Sequence, residues 1–436
     1  MLVQDASQQD YADITTRRLV PSGMMAPFVL ATALFFLWGL PNNLNDVLIR
    51  QFMKSFQLTR FQAGLIQSAF YLGYFLLATP AALLMRRFGY KSGMVAGLCL
   101  LGAGTFLFWR AALAGQYWFF LLSLFVIASG LSFLETASNP FIAQLGEPAN
   151  AARRLNFSQA FNPIGAITGV LAGTLFIFSG VELNPAQIES MKVAKTYSRY
   201  LRNETLRVVD PYLIIGCLAF LLAILIWRCR IPAVATESIQ GLSGCNSIKD
   251  LLRYPHFLTA IAAQFMYVGA QVGTWSYFIQ YVQDYTHRPE KIAGYFLAGT
   301  LFVFGIGRFA SSALMGKVSA ARLMGLYSVI NVALLAVGVF IPGWAGLWTI
   351  FLSSFFMSVM YPTIFALGIE GLGENTKIAA SLIIMAIVGG AVLTPIMGLI
   401  SQRSGSIATA YAVPLAGYVF VALYSFWGAH LRPFKG

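Results

Sequence analysis

Residues 40–46 read LPNNLND and interrupt an apolar run that begins at Met25. Asn42 and Asn43 stand four and three positions before Asp46, a spacing that puts all three on one helical face. A second acid, Glu135, lies inside GLSFLETASNPFIA with Asn139 four residues on. The stretch NFSQAFN repeats Asn156, Gln159 and Asn162 every three residues, and Gln264, Tyr267, Gln271 and Trp275 recur every three or four. Carboxylates and amides can both donate to and accept from ring hydroxyls. Trp and Tyr offer apolar faces to the C–H side of a pyranose, and a buried carboxyl can take up and release a proton. The set suits a neutral sugar and a proton. Amides in a membrane also bond neighbouring helices, and Trp and Tyr also pack or anchor at interfaces. That second reading stays open for Asn156, Gln264, Tyr267 and Trp275. Asp46 could also cap the outer end of its helix, although an acid within a span is functional by default.

Other chemistries fit less well. An ion channel would show rings of charge or a backbone filter. A phosphate or peptide carrier would need cations in its site. Arg308 is the obvious mid-span cation of the C-terminal half, and Arg110 lies near a span end. Cys99, Cys217, Cys229 and Cys245 have no CxxC or Cys/His spacing, and His256, His287 and His430 fall at segment ends. No metal site, cofactor site or nucleophile–base pair is expected, so neither is an enzyme.

The elements that must position these groups are set by composition. The 436 residues are 58% hydrophobic and only 10% charged, with mean hydropathy +0.70. Soluble domains carry about 25% charged residues, and a water-soluble fold of this size could not hide so much apolar side chain. The chain is therefore expected to be an all-α integral membrane protein whose partner is the lipid bilayer. Its net charge of +13 does not imply nucleic acid, because Lys and Arg fall in short groups between apolar runs. The N-terminal stretch has no signal-peptide core, so the first apolar segment is expected to be a retained span.

A spanning helix needs about 20 apolar residues. Twelve stretches qualify, near 25–50, 60–85, 92–113, 117–145, 157–180, 211–229, 257–283, 291–316, 321–342, 346–372, 378–402 and 409–431. With the termini on one side, that side carries 16 Lys and Arg against 12 opposite, five of them in the loop 181–210. Long loops count less toward orientation, so both termini are expected in the cytoplasm. The expected layout is a tail at 1–24, a six-helix bundle at 25–229, a cytoplasmic linker at 230–256 and a second six-helix bundle at 257–436. The halves resemble each other. Pro140–Gly146 and Pro362–Gly368 agree at four of seven positions with an offset of 222, which pairs Asn139 with Tyr361 and Glu135 with Met357. Phe36–Gly39 parallels Met266–Gly269, and Ile164–Ile167 parallels Val388–Ala391. Two pseudo-symmetric six-helix repeats place a site near the midplane between them.

A charge at the bilayer centre costs about 2.5–3.5 kcal/mol on insertion scales, so deep acids are functional by default. Of the 16 acids, Asp46 and Glu135 alone fall well within spans. Burial disfavours the charged form, so Glu135 is expected to hold a proton when its cavity is dry.

The blocks NNLND at 42–46, FQAGLIQSAFYLGYF at 61–75, LETASNPF at 134–141 and YPTIFALGIEGLG at 361–373 resemble the bacterial L-fucose–proton symporters. These form part of the fucose–galactose–glucose branch of the major facilitator superfamily. QFMYVGAQVGTWSYFI at 264–279 and GGAVLTPIMG at 389–398 are similar too. The resemblance implies a twelve-helix carrier in the bacterial inner membrane that takes up a neutral monosaccharide with a proton and acts as a monomer. It implies that Asp46 and Glu135 couple the proton, and that Asn43, Gln159 and Asn162 touch sugar. From the residues themselves, Asn42, Asp46, Asn139, Tyr267, Gln271, Trp275 and Tyr361 join that expected sugar site. L-fucose leads; galactose, glucose, arabinose and N-acetylglucosamine remain open. So do uniport, drug efflux and sugar sensing. The stretch MRRFGYKSG at 85–93 lacks the aspartate of the general superfamily signature.

Overall fold

The computed structural model describes residue 20 and residues 23–146, 151–230, 251–315, 318–370, 372 and 376–431. Their regular structure is helical throughout. Eleven stretches are long and apolar enough to cross a membrane: Met25–Ser55, Arg60–Met85, Arg87–Ala114, Tyr117–Ile142, Phe157–Ile177, Tyr197–Arg228, Glu290–Ser311, Ala320–Phe340, Trp344–Ile369, Leu382–Ser404 and Ile407–Phe426. The segment expected at 257–283 is a twelfth helix, Pro255–Ser276, continued by Phe278–Thr286. Gln264 and Gln271 dilute its apolar run, yet most of it is buried. We number these spans 1 to 12 in chain order. Most of the expected tail 1–24 and residues 231–250 of the expected linker 230–256 lie outside the described residues.

Proline shapes several spans. Span 1 runs unbroken from Met25 to Ser55 through Pro41, which has no N–H to give the Leu37 carbonyl. Pro163 and Pro362 likewise leave the carbonyls of Gln159 and Ser358 without their usual donors. At those places spans 5 and 10 break, between Gln159 and Phe161 and between Met357 and Met360. Just past the junction of spans 2 and 3, Gly89 has a φ of 79° and a ψ of 172° that interrupt the helix in a region open mainly to glycine.

The repeat read from the sequence reappears as two close helix crossings. A Cβ on Gly39 would sit 2.4 Å from the Asn162 carbonyl oxygen, and one on Gly165 would sit 2.1 Å from that of Phe36. Spans 1 and 5 therefore touch backbone to backbone. In the other half, a Cβ on Gly389 would lie 1.9 Å from the Phe265 oxygen, and one on Gly269 2.3 Å from Leu393. Spans 7 and 11 cross in the equivalent way. Small residues at such crossings replace the hydrophobic drive that lipid cannot supply.

The outer surface is apolar where lipid would cover it, with Phe176, Ile214, Phe302 and Phe309 well exposed on spans 5, 6 and 8. The chain is a multi-pass membrane protein. We call the side that carries Met25 and Leu431 the tail side, and the opposite one the loop side. On the loop side the long connection folds as Pro185–Val193 and Tyr197–Leu206, the second of which leads through a short turn into Val209–Arg228, the long apolar part of span 6. Asn184 and Gln187 start the first with a reciprocal capping box.

Candidate substrate and proton site

Asp46 sits in the loop-side half of span 1 and is 4% exposed. Its Oδ1 accepts from Gln67 Nε2 at 2.9 Å and from Ser276 Oγ at 3.0 Å. Gln67 Nε2 also donates to Ser276 Oγ at 2.9 Å, which closes a triangle of three side chains. Asn43 Nδ2 reaches Asp46 Oδ2 at 3.4 Å, and the Asn42 side-chain oxygen is buried with no partner among the described residues. Span 1, span 2 and span 7 meet here, so an acid of one half is bonded directly to the other half.

Glu135 is placed differently. It lies on span 4 beside a cavity of about 200 Å³ in the tail-side half, between spans 2, 4 and 11. Tyr74, Ser132, Glu135, Thr136 and Asn139 are its polar lining, and Phe75, Ile384 and Ile387 are among the apolar walls. Among the described residues nothing hydrogen-bonds the Glu135 carboxylate. Asn139 Nδ2 donates to the Glu135 carbonyl at 3.2 Å, and its Oδ1 accepts from Gln159 at 3.3 Å. Gln159 is itself exposed, so its second amide hydrogen and its oxygen are open to a ligand.

The remaining predicted residues fall into two groups. Gln271 and Tyr361 are half-buried. The Tyr361 hydroxyl is close enough to feel Glu135, Arg308 and Gln264. Asn162 donates to the Phe35 carbonyl at 3.3 Å beside the glycine crossing. Tyr267 and Trp275 are buried, and their polar atoms are already used: Tyr267 bonds the Met357 carbonyl at 2.8 Å, and Trp275 bonds Ser354 at 3.2 Å. Both retain ring faces or edges but no free donor. The Asn156 side chain lies outside the described residues. Arg308 stacks over Phe304 at 5.1 Å.

Gln67, Ser276, Tyr71 and Tyr74 were not singled out from the sequence. Gln67, Tyr71 and Tyr74 follow one another at intervals of four and three, so one face of span 2 carries them all. Tyr71 lies within electrostatic reach of both Asp46 and Glu135. That periodicity was available as a signal. Ser276 carried none.

The loop side is closed by further bonds between halves. Arg60 pairs with Asp284 and donates to Ser401 at 2.7 Å, while Tyr277 donates to the Arg60 carbonyl at 2.7 Å. Ser68 donates to the Ala391 carbonyl at 2.6 Å. Lys54 lies 3.1 Å from both Glu204 and Glu290. Hydrogen bonds between described side chains of the two halves all lie from the level of Asp46 toward this side. The cavity beside Glu135 lies on the other.

The pattern of the Major Facilitator Superfamily matches residues 25–395. The chain belongs to that superfamily, in its fucose–galactose–glucose branch. It is 42% identical to the L-fucose-proton symporter of Escherichia coli K12, over 92% of each chain. It is 33% identical to a putative glucose/galactose transporter of Helicobacter pylori, over 91% of this chain and 95% of that one. A crystal structure of the major facilitator transporter FucP in the outward conformation has a TM-score of 0.68 and 40% identity, covering 93% of this chain and 99% of that one. This is a family of transporters, not of enzymes, and the twelve-helix architecture is the one expected.

Proposed function

We propose that this protein takes up a neutral monosaccharide together with a proton, by alternating access, with L-fucose its leading substrate. The observation that carries the reading is the unpaired Glu135 carboxyl beside a tail-side cavity also lined by Asn139 and Tyr74. A sugar there finds polar groups on Asn139, Ser132 and Thr136 and an apolar wall for its C–H face, with Gln159 bonded to Asn139 next to it. Glu135 is the main proton carrier, and Asp46 links proton state to sugar binding. Asn42, Asn43, Asn162, Gln271 and Tyr361 complete the sugar path, while Tyr267 and Trp275 act through their rings.

The excess of Lys and Arg on the tail side supports cytoplasmic termini in a bacterial inner membrane. On that topology the structure is inward-facing, the opposite state to the relative solved as outward. The bundles are 25–229 and 257–436, joined by a cytoplasmic linker at 230–256. A proton moving with a neutral sugar carries one charge, worth about 2.3 kcal/mol per 100 mV. The name of the 42% identical relative supports L-fucose. The 33% identical glucose/galactose transporter keeps D-glucose and D-galactose in view. Competition tests the choice: labelled L-fucose uptake into vesicles, challenged with unlabelled L-fucose, D-galactose and D-glucose. L-fucose is expected to compete best. Vesicles that take up galactose or glucose but no fucose would move the substrate and keep the mechanism.

A further inference from the structure

Span 8 carries two different stripes. Tyr295, Phe302, Ile306 and Phe309 are exposed and form the face that lipid covers. Leu297, Leu301 and Phe304 recur at intervals of four and three on another face and are buried. Arg308 is the next member of that buried stripe, four residues on, yet it is exposed. A side chain exposed on an inward face meets the water-filled opening between the halves, not lipid. Its guanidinium stacks over Phe304 at 5.1 Å, and Phe304 stands edge to face with Trp275 at 5.2 Å. Tyr267 and Tyr361 lie within its electrostatic reach. Among the described residues Arg308 has no carboxylate partner and donates no hydrogen bond.

The other half meets this position at the same depth. Spans 5 and 8 run in opposite directions and touch toward the loop side, where a Cβ on Gly294 would lie 2.3 Å from Thr174 Oγ1. Arg308 and Gln159 stand 14 and 15 residues from that contact toward the tail side, roughly 20 Å along each helix. The Glu135 cavity lies between spans 2, 4 and 11. Its counterpart under the repeat lies between spans 8, 10 and 5, and those spans carry Arg308, Tyr361 and Gln159.

We propose that Arg308 is a sugar-binding residue of the second half, and that it holds two neighbouring oxygens of the sugar from the side opposite Gln159 and Asn139. The inference rests on the sugar reading above and deepens it. A guanidinium is always charged and presents its donors as a planar fork, which two adjacent oxygens can fill. In the open cavity water satisfies those donors. Occlusion around a sugar removes the water, and a charge left without acceptors is then costly. The sugar's own oxygens supply them. Phe304 holds the guanidinium in place before the sugar arrives, so less freedom is lost on binding.

The test is a cycle between a protein group and ligand groups. Calorimetry on the purified full-length protein measures the affinity of the parent and of Arg308→Gln for L-fucose and for the derivatives lacking its 2-, 3- or 4-hydroxyl. D-galactose and D-glucose with their matching derivatives take their place if the parent prefers one of them. Arg308→Gln is expected to weaken binding of the full sugar about tenfold to hundredfold, the worth of hydrogen bonds from a charged group. Arg308→Lys keeps the charge but not the fork, and should fall between. The deciding readout is the pattern across derivatives. Two derivatives that lack neighbouring hydroxyls should bind the parent about tenfold more weakly than the full sugar does, and Arg308→Gln should bind them nearly as well as it binds the full sugar. A side chain that acts only through the fold would weaken every ligand by one factor. That result, or an unchanged affinity in Arg308→Gln, would overturn the proposal. Should Arg308→Gln fail to fold, Arg308→Lys carries the same cycle. A parent that binds none of the three sugars would remove the sugar reading itself, whereas a parent that binds one with no such pattern would remove Arg308 alone.

Discussion

Asp46 and Glu135 are two acids on spans of the same half, and they are held in opposite ways. Asp46 accepts hydrogen bonds from Gln67 and Ser276 and is sealed from solvent. Glu135 has no hydrogen-bond partner among the described residues and borders a cavity. A carboxylate bonded across the interface is tied to the position of the halves. One that borders a cavity can exchange its proton with whatever fills that space. One fold thus gives the same functional group two different settings by changing what surrounds it. The repeat sharpens the contrast, since the position equivalent to Glu135 is Met357, which cannot titrate.

Neutralising the partnerless acid should have the largest effect. A potential of 100 mV supports roughly 50-fold accumulation of a sugar that moves with one proton. Glu135→Gln is expected to bring that to about onefold while sugar exchange continues. Uptake by the parent should fall as external pH rises, because fewer carriers are then loaded. Uptake by Glu135→Gln should be flat with pH. Rates measured in proteoliposomes across a pH series decide this, and a retained slope would take the proton from Glu135.

Next is the wall of the Glu135 cavity. Ile387 and Val388 line it immediately before Gly389, where span 11 crosses span 7. A Cβ there would stand 1.9 Å from the Phe265 oxygen. Gly389→Ala should push the spans apart and lower stability by about 1–3 kcal/mol. Gly165→Ala, at the equivalent crossing, should do the same. Thermal unfolding in detergent measures both, and an unchanged midpoint would remove the crossing from the account.

Gln159→Ala removes the exposed amide that donates to Asn139. Sugar affinity should drop about fivefold to tenfold, the worth of one ordinary hydrogen bond. Equilibrium binding measured beside Asn139→Ala tells whether the two amides act together. The smallest effect should come from the loop side. Arg60 and Asp284 are partly exposed, at 22% and 37%, and exposed pairs are worth about 1 kcal/mol or less. Arg60→Gln should therefore change uptake by no more than about fivefold.

Much of this was legible in the sequence, for physical reasons. Lipid demands long apolar helices, so the spans stood out; span 7 was legible too, although its glutamines dilute it. The cost of burying charge picked out Asp46 and Glu135 from the other acids. What stayed hidden depends on how helices face each other. Ser276 is an ordinary serine until span 1 is packed against span 7. Tyr267 looked like a sugar contact because its spacing matched the polar stripe, yet its hydroxyl is committed to the Met357 carbonyl. Periodicity reports a shared helix face; it does not report what that face meets. Gln67, Tyr71 and Tyr74 had the periodicity, but two of the three are aromatic and blended into an aromatic-rich chain.

The most direct test is accumulation of labelled L-fucose in proteoliposomes under an inward proton gradient, with and without a protonophore. The account predicts concentrative uptake that the protonophore abolishes and that Glu135→Gln lacks. Equal uptake with and without the gradient, or concentrative uptake by Glu135→Gln, would contradict it.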